Sequence, residues 1–239
     1  MHALAEQNIV LVPTLTDSTA LLSVAERVQE VAPEQGANGY VWTTEGAVKR
    51  LFDLLFSLIL LLLTGPILLT AMLALWLSSL GRGPVIYRQT RVGLNGKHFT
   101  LLKLRTMRVD AECHGALMAS INDSRITRLG RILRRSRIDE LPQLLNVLRG
   151  EMSLIGPRPE RPEFVRQYEH QIEGYSLRNR VKPGITGLAQ VSYGYAESLD
   201  EAAIKLFYDL SYIRSRSLRT DLHVLKQTLP VMLTGWGAR

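Results

Sequence analysis

From Leu54 to Gly81 the chain carries no charged residue, and nothing else in the sequence constrains its fold as strongly. The run is rich in leucine, with Leu60-Leu61-Leu62-Leu63 at its heart. As a helix rising about 1.5 Å per residue, it is long enough to cross a bilayer. Two features cut against a plain crossing. Thr64-Gly65-Pro66 sits at its centre, where proline removes a backbone donor and kinks a helix. Lys49 and Arg50 precede the run, and Arg82, Arg88 and Arg91 follow it. Cations favour the cytoplasmic side of membrane segments, so both flanks belong there. A break at Pro66 leaves halves near 51–63 and 67–80, each short of the roughly 20 residues needed to span. On these residues alone, a re-entrant hairpin and a spanning helix both stay open.

The rest of the 239 residues suffices for one further domain. The net charge of +7 suits a phosphorylated substrate, anionic lipid or nucleic acid, and does not choose among them. Cys113 is the only cysteine, which excludes an internal disulfide or a CxxC site. The five histidines lack HExxH spacing, which argues against a zinc enzyme. The N-terminus has no basic segment before an apolar run, so a cleaved signal peptide is not expected. Residues 1–46 read as a weakly ordered leader, with one short helix around 18–31.

After Gly83-Pro84 the pattern changes. Val85-Ile86-Tyr87 and Phe99–Leu102 flank Gly93-Leu94-Asn95-Gly96, a hairpin signal. Residues 125–138 look helical and basic. Leu141–Leu148 continues as a helix that Pro142 can open. Ile155–Pro162 and Pro183–Gly187 read as loops. Ser198-Leu199-Asp200-Glu201 is a capping box for a helix to about Arg214. An amphipathic stretch follows at 219–234.

The chemistry concentrates in the middle. Between Arg82 and Ile138 there are 13 Lys/Arg against three acids. Arg128, Arg131, Arg134 and Arg135 recur at helical spacing and are expected to share a face. Few aromatics interleave and no zinc-finger or RRM pattern appears, so nucleic acid is not expected. Asp139-Glu140 follows directly. Adjacent carboxylates on a helix point apart, so they can divide labour rather than share a proton. One can attack phosphorus and form an acyl phosphate. The other can hold Mg²⁺, which prefers carboxylate and phosphate oxygens. The bland alternative is a helix start, where acids are favoured. In Gly156-Pro157-Arg158-Pro159 the prolines bias Arg158 to an extended backbone and present its planar fork to phosphate. Arg178, Arg180 and Lys182 alternate, and on a strand would share one face. There is no P-loop and no GxGxxG after a strand.

Together these motifs resemble one family. They are Lys49-Arg50-x-Phe52-Asp53, Gly83-Pro84-Val85-Ile86-Tyr87-x-Gln89-x-Arg91-x-Gly93, Lys103-Leu104-Arg105-Thr106-Met107, Asp139-Glu140-Leu141-Pro142-Gln143-Leu144, Ile155-Gly156-Pro157-Arg158-Pro159 and Lys182-Pro183-Gly184-Ile185-Thr186-Gly187. From about residue 48 onward the chain resembles the bacterial sugar transferases, the monotopic phosphoglycosyl transferases.

That resemblance implies a mainly helical α+β fold with a small β-hairpin or sheet. It implies a re-entrant membrane helix-break-helix over 47–81, broken at Pro66, and a cytoplasmic catalytic domain over 82–239 with amphipathic helices at the interface. It implies a ping-pong reaction at the bacterial inner membrane. Asp139 attacks the β-phosphate of a UDP-sugar, UMP leaves, and the phosphosugar passes to undecaprenyl phosphate. Glu140 helps bind Mg²⁺. Lys103, Arg105, Arg134, Arg158, Arg180 and Lys182 are the expected phosphate contacts. Hexose-type relatives suggest UDP-glucose or UDP-galactose. Whether the chain forms a homo-oligomer stays open. A non-catalytic membrane scaffold would keep the apolar hairpin without needing Asp139.

Overall fold

The structure, a computed structural model, describes Val28, residues 44–113, Gly115, residues 123–193 and residues 198–234. The short helix expected at 18–31 lies outside them apart from Val28, which is helical and buried. The architecture is mainly helical with two small sheets. Helix α1 (Thr44–Ser78) is followed by the hairpin β1 (Ile86–Val92) and β2 (His98–Leu104). Then come α2 (Arg128–Arg135), α3 (Gln143–Arg149), β3 (Ser153–Ile155), α4 (Pro162–Gln171), β4 (Gly184–Thr186) and α5 (Leu188–Ser192). Helices α6 (Leu199–Arg214) and α7 (Leu218–Thr234) complete the order.

The hairpin forms as its sequence demands. Ile86 pairs with Leu104 and Val92 with His98, antiparallel. Asn95 and Gly96 turn the chain at φ 53° and 75°. The capping box at Ser198 and Glu201 is present, with both reciprocal hydrogen bonds. Pro142 occupies the position just before α3.

Residues 183–187, expected as a loop, instead contain β4, which pairs in parallel with β3 through Ser153–Gly184 and Ile155–Thr186. A side chain on Gly156 or Gly184 would strike the backbone of the other segment, so glycine is what permits this approach. The pairing is only three residues long, too short to show a strand periodicity.

Helix α1 departs from the two separate halves expected. It runs as one helix from Thr44 to Ser78 with Pro66 inside it, although Pro66 has no amide to give the ladder. Two threonine hydroxyls flank the proline, Thr64 donating to the Leu60 carbonyl (2.6 Å) and Thr70 to the Pro66 carbonyl (2.8 Å). Such back-bonding bends helices. Both ends of α1 pack on the same domain. At the start, Arg50 donates to the carbonyls of Val147 and Leu148 at 2.7 and 2.9 Å, which close α3. Asp53 accepts from Lys49 (2.8 Å), Ser153 Oγ (3.1 Å) and the Leu154 amide (3.2 Å). Lys49 also pairs with buried Asp221 of α7 at 2.9 Å. Further along, Leu68, Ala71 and Leu75 are buried in a cluster with Leu104 and Leu133. The opposite side of α1 exposes Leu55, Ile59, Leu62, Leu69, Leu73 and Trp76. By length and composition it could cross a membrane.

Candidate active site

The site is assembled where β2, α2 and the turn before α3 converge. Thr106 follows β2, and Gly130 lets the backbone of α2 lie directly on it. Thr127 caps α2, accepting from the Gly130 amide and donating its hydroxyl to the Thr106 carbonyl. Arg134 then reaches back, its Nε donating to Thr106 Oγ1 at 2.7 Å. The expectation that Arg128, Arg131, Arg134 and Arg135 share a face is not met. Gly130 and Leu133 face the body and only Arg134 turns inward, leaving the other three exposed.

Arg137 takes the left-handed conformation (φ 57°) and reverses the chain. A single 3₁₀ turn, Ile138–Glu140, follows. It directs Asp139 inward to 4% exposure, with no hydrogen-bond partner for Oδ1 among the described residues. Glu140 faces a different way and accepts from Arg158 at 2.8 Å, with Arg137 at 3.9 Å. The two carboxylates thus diverge, as adjacent residues should.

Their electrostatics diverge too. Burial and the neighbouring Glu140 charge push the Asp139 carboxyl up to about 6, against the pull of Lys103, Arg134 and Arg137. Burial also pushes Glu140 up, but Arg158, Arg137 and Lys103 outweigh it and hold its carboxyl down to about 2. Lys103 is lowered to about 8 by burial and by Arg134 and Arg91, although Asp139 opposes this. Paired acids driven apart in this way mark groups with different tasks.

Arg158 is set by the segment that carries it. The amides of Gly156 and Gly184 donate to the carbonyls of Thr186 and Pro157, both at 2.9 Å. The Arg158 carbonyl accepts from Arg178 (2.8 Å), whose buried guanidinium pairs with Asp209 at 2.7 Å. Arg178 is therefore a buttress beneath Arg158. The strand expected to align Arg178, Arg180 and Lys182 is instead a 3₁₀ turn, Tyr175–Arg180, which stacks Arg178 over the Tyr175 ring.

One cleft of about 910 Å³ joins these groups. Lys103, Arg105, Arg134, Asp139, Glu140 and Arg158 all line it. Arg105 also donates to the Arg82 carbonyl at 3.1 Å. Arg180 and Lys182 do not line it. Lys182 lies beside Gly150, with Arg50 and Asp53 acting on its charge. Sequence reasoning missed Arg137, whose left-handed turn leaves no compositional trace. It also missed the polar wall of Tyr87, Glu112 and Arg161, where Glu112 accepts from Tyr87 Oη (2.8 Å) and Arg161 (2.7 Å). Tyr87 stands opposite Lys103 in the hairpin register; a two-residue Asn95-Gly96 turn would instead have set Tyr87 against Leu104, so the pairing was not readable from the turn.

The profile of one protein family, described as bacterial sugar transferase, matches residues 44–235. The chain belongs to the bacterial sugar transferase family. It is 44% identical over 192 residues to the UDP-N-acetylgalactosamine-undecaprenyl-phosphate N-acetylgalactosaminephosphotransferase of Aeromonas hydrophila, covering 80% of this chain and 45% of that one. It is 45% identical over 188 residues to the UDP-glucose:undecaprenyl-phosphate glucose-1-phosphate transferase of Caulobacter vibrioides, covering 78% and 70%. An Escherichia coli K12 protein of the same glucose-1-phosphate transferase name is 38% identical over 240 residues, covering 96% and 50%. The chain thus spans about half the length of several curated relatives that it matches.

Proposed function

We propose that this sugar transferase moves a hexose-1-phosphate from a UDP-sugar to undecaprenyl phosphate at the inner face of the bacterial inner membrane, releasing UMP. The observation that carries this reading is Asp139, a buried carboxylate with an unpartnered oxygen, ringed by Lys103, Arg134 and Arg137. The names of the relatives supply both substrates.

The reaction is ping-pong. An Asp139 oxygen attacks the β-phosphorus, and the bond from that phosphorus to the bridging oxygen breaks, so UMP departs with the electron pair. The phosphosugar is left as an acyl phosphate on Asp139. An oxygen of the lipid phosphate then attacks the same phosphorus and frees the carboxylate. Lys103, Arg134 and Arg158 stabilise charge on the transferring group. With a carboxyl near 6, Asp139 is ionised at neutral pH yet poorly solvated, which favours attack.

Among the described residues no group of three or more His, Cys, Asp or Glu could hold a metal. The donor set fits Mg²⁺ nonetheless, because that ion keeps waters and takes substrate phosphate oxygens beside one or two carboxylates. Glu140 would hold it, and it would neutralise charge on the diphosphate.

For α1 we propose a re-entrant path. A water-exposed domain cannot follow a straight helix through a bilayer, and this domain touches α1 from Arg50 to Leu75. Cysteines placed at positions 50 and 82 should both label from the cytoplasm; labelling from opposite sides would restore a spanning helix. The function is tested with Asp139→Asn in membranes. UMP release should fall at least a thousandfold across UDP-glucose, UDP-galactose and UDP-N-acetylgalactosamine, and undiminished release would exclude the nucleophile.

A further inference from the structure

Among the described residues, helix α7 turns one face into the body and leaves a second, apolar face largely exposed, with only Leu225 of that face packed partly against the core. Asp221, Val224 and Thr228 are three and four residues apart and point into the body. Asp221 and Val224 are buried, and Thr228 bonds Thr186 at 2.8 Å. Rotated from them, Leu222, Leu225, Leu229 and Met232 recur at spacings of three, four and three residues. Leu222, Leu229 and Met232 are 55%, 62% and 43% exposed. All four line the same cleft as Asp139. So do Phe56, Leu60 and Thr64 of α1. The two helices are joined near their N-terminal ends by the Lys49–Asp221 pair, and from that point each contributes an apolar wall.

We propose that the face Leu222–Leu225–Leu229–Met232 of α7, opposite Phe56 and Leu60 of α1, binds the prenyl chain of the lipid phosphate acceptor. This inference rests on the function proposed above and adds where that acceptor lies. Apart from Lys226, a cation that lines the same cleft between Leu222 and Leu229, these side chains are apolar and suit an aliphatic ligand. An exposed apolar row of this kind needs a cover. From residue 222 to 232 the face runs about 15 Å, enough to seat the first prenyl units. The α1 wall continues into the exposed leucines of the membrane helix, so the remaining chain stays in lipid. The cleft also holds the reacting carboxylate, so a tail on this face places its phosphate beside Lys103 and Arg134.

The two half-reactions separate the outcomes. Exchange of label between UMP and UDP-glucose needs no lipid acceptor, whereas transfer to prenyl phosphate does. In nanodiscs, Leu229→Glu and Leu222→Glu should keep exchange within about twofold of the unsubstituted chain. The KM for undecaprenyl phosphate should rise at least tenfold, and the preference for undecaprenyl over a short prenyl phosphate should vanish. Intact exchange with an unchanged acceptor KM would overturn the groove. A photoreactive prenyl phosphate provides a second measurement that needs no variant. It should label the 218–234 segment in competition with undecaprenyl phosphate. Labelling confined to other helices, or cross-links joining this segment of two copies, would overturn the proposal. Absence of exchange in the unsubstituted chain would instead count against the ping-pong reading, and the photolabelling would still decide the groove.

Discussion

Asp53 and Asp139 are both carboxylates with almost no solvent exposure, 2% and 4%, yet their surroundings differ in kind. Asp53 sits in a clamp. Lys49, the Ser153 hydroxyl and the Leu154 amide all converge on its Oδ1, and the clamp ties α1 to β3. Asp139 sits on a 3₁₀ turn with cations nearby but, among the described residues, no donor on Oδ1. The first arrangement satisfies a buried charge and spends it on architecture. The second leaves the charge under-solvated and accessible from the cleft. Burial alone therefore does not set an acid's role; the donors around it separate the structural clamp at Asp53 from the nucleophile proposed at Asp139.

Substitution should split the pair. Asp53→Ala strands two buried donors and deprives Lys49 of one partner, at a cost of about 3–5 kcal/mol. A thermal melt should show a fall of many degrees, with lost activity following lost fold. An unchanged Tm would mean that the clamp is dispensable. Asp139→Asn should move the other way. An acid whose folded pKa lies above its unfolded value loses stability as pH rises from about 4 to about 6. Removing that charge therefore recovers up to about 3 kcal/mol at neutral pH. The variant should melt higher at pH 7.5 while being inactive, and the gain should disappear near pH 4. A lower Tm at pH 7.5 would show that the cations around Asp139 already compensate its burial.

The legible parts of the molecule were those with local signals. The Asn-Gly hairpin, the capping box at Ser198 and the start of α3 at Pro142 each depend on neighbours a few residues away, and each is where the sequence placed it. The gathering of Lys103, Arg105, Arg134 and Arg158 around the dyad came through family motifs rather than periodicity. What could not be read depends on long-range contacts. The β3–β4 pairing rests on Gly156 meeting Gly184, and nothing short-range announces it. Arg178 looks like Arg180 in sequence, but Asp209, 31 residues away, draws it into the core while Arg180 stays outside the cleft. Helical spacing put four arginines of α2 on one face, but Thr106 draws only Arg134 inward and the other three stay exposed.

The smallest effect is the most specific test of how Asp139 is tuned. The pre-steady-state burst of UMP should follow a bell-shaped pH profile, and a UDP-sugar, a diphosphate diester, adds no ionisation of its own in that range. On the acid side the nucleophile must be ionised, so the burst rate should fall about tenfold per pH unit below about 6. On the basic side Lys103 loses its proton above about 8, and with it the charge proposed to stabilise the transferring phosphate. Lys103→Arg keeps a cation that does not titrate there. It should abolish the basic limb and leave the acid limb in place, at some cost in rate from altered geometry. An acid limb that stays near the ordinary carboxylate value would mean that the cleft solvates Asp139 after all. A basic limb that persists in Lys103→Arg would assign that proton to another group.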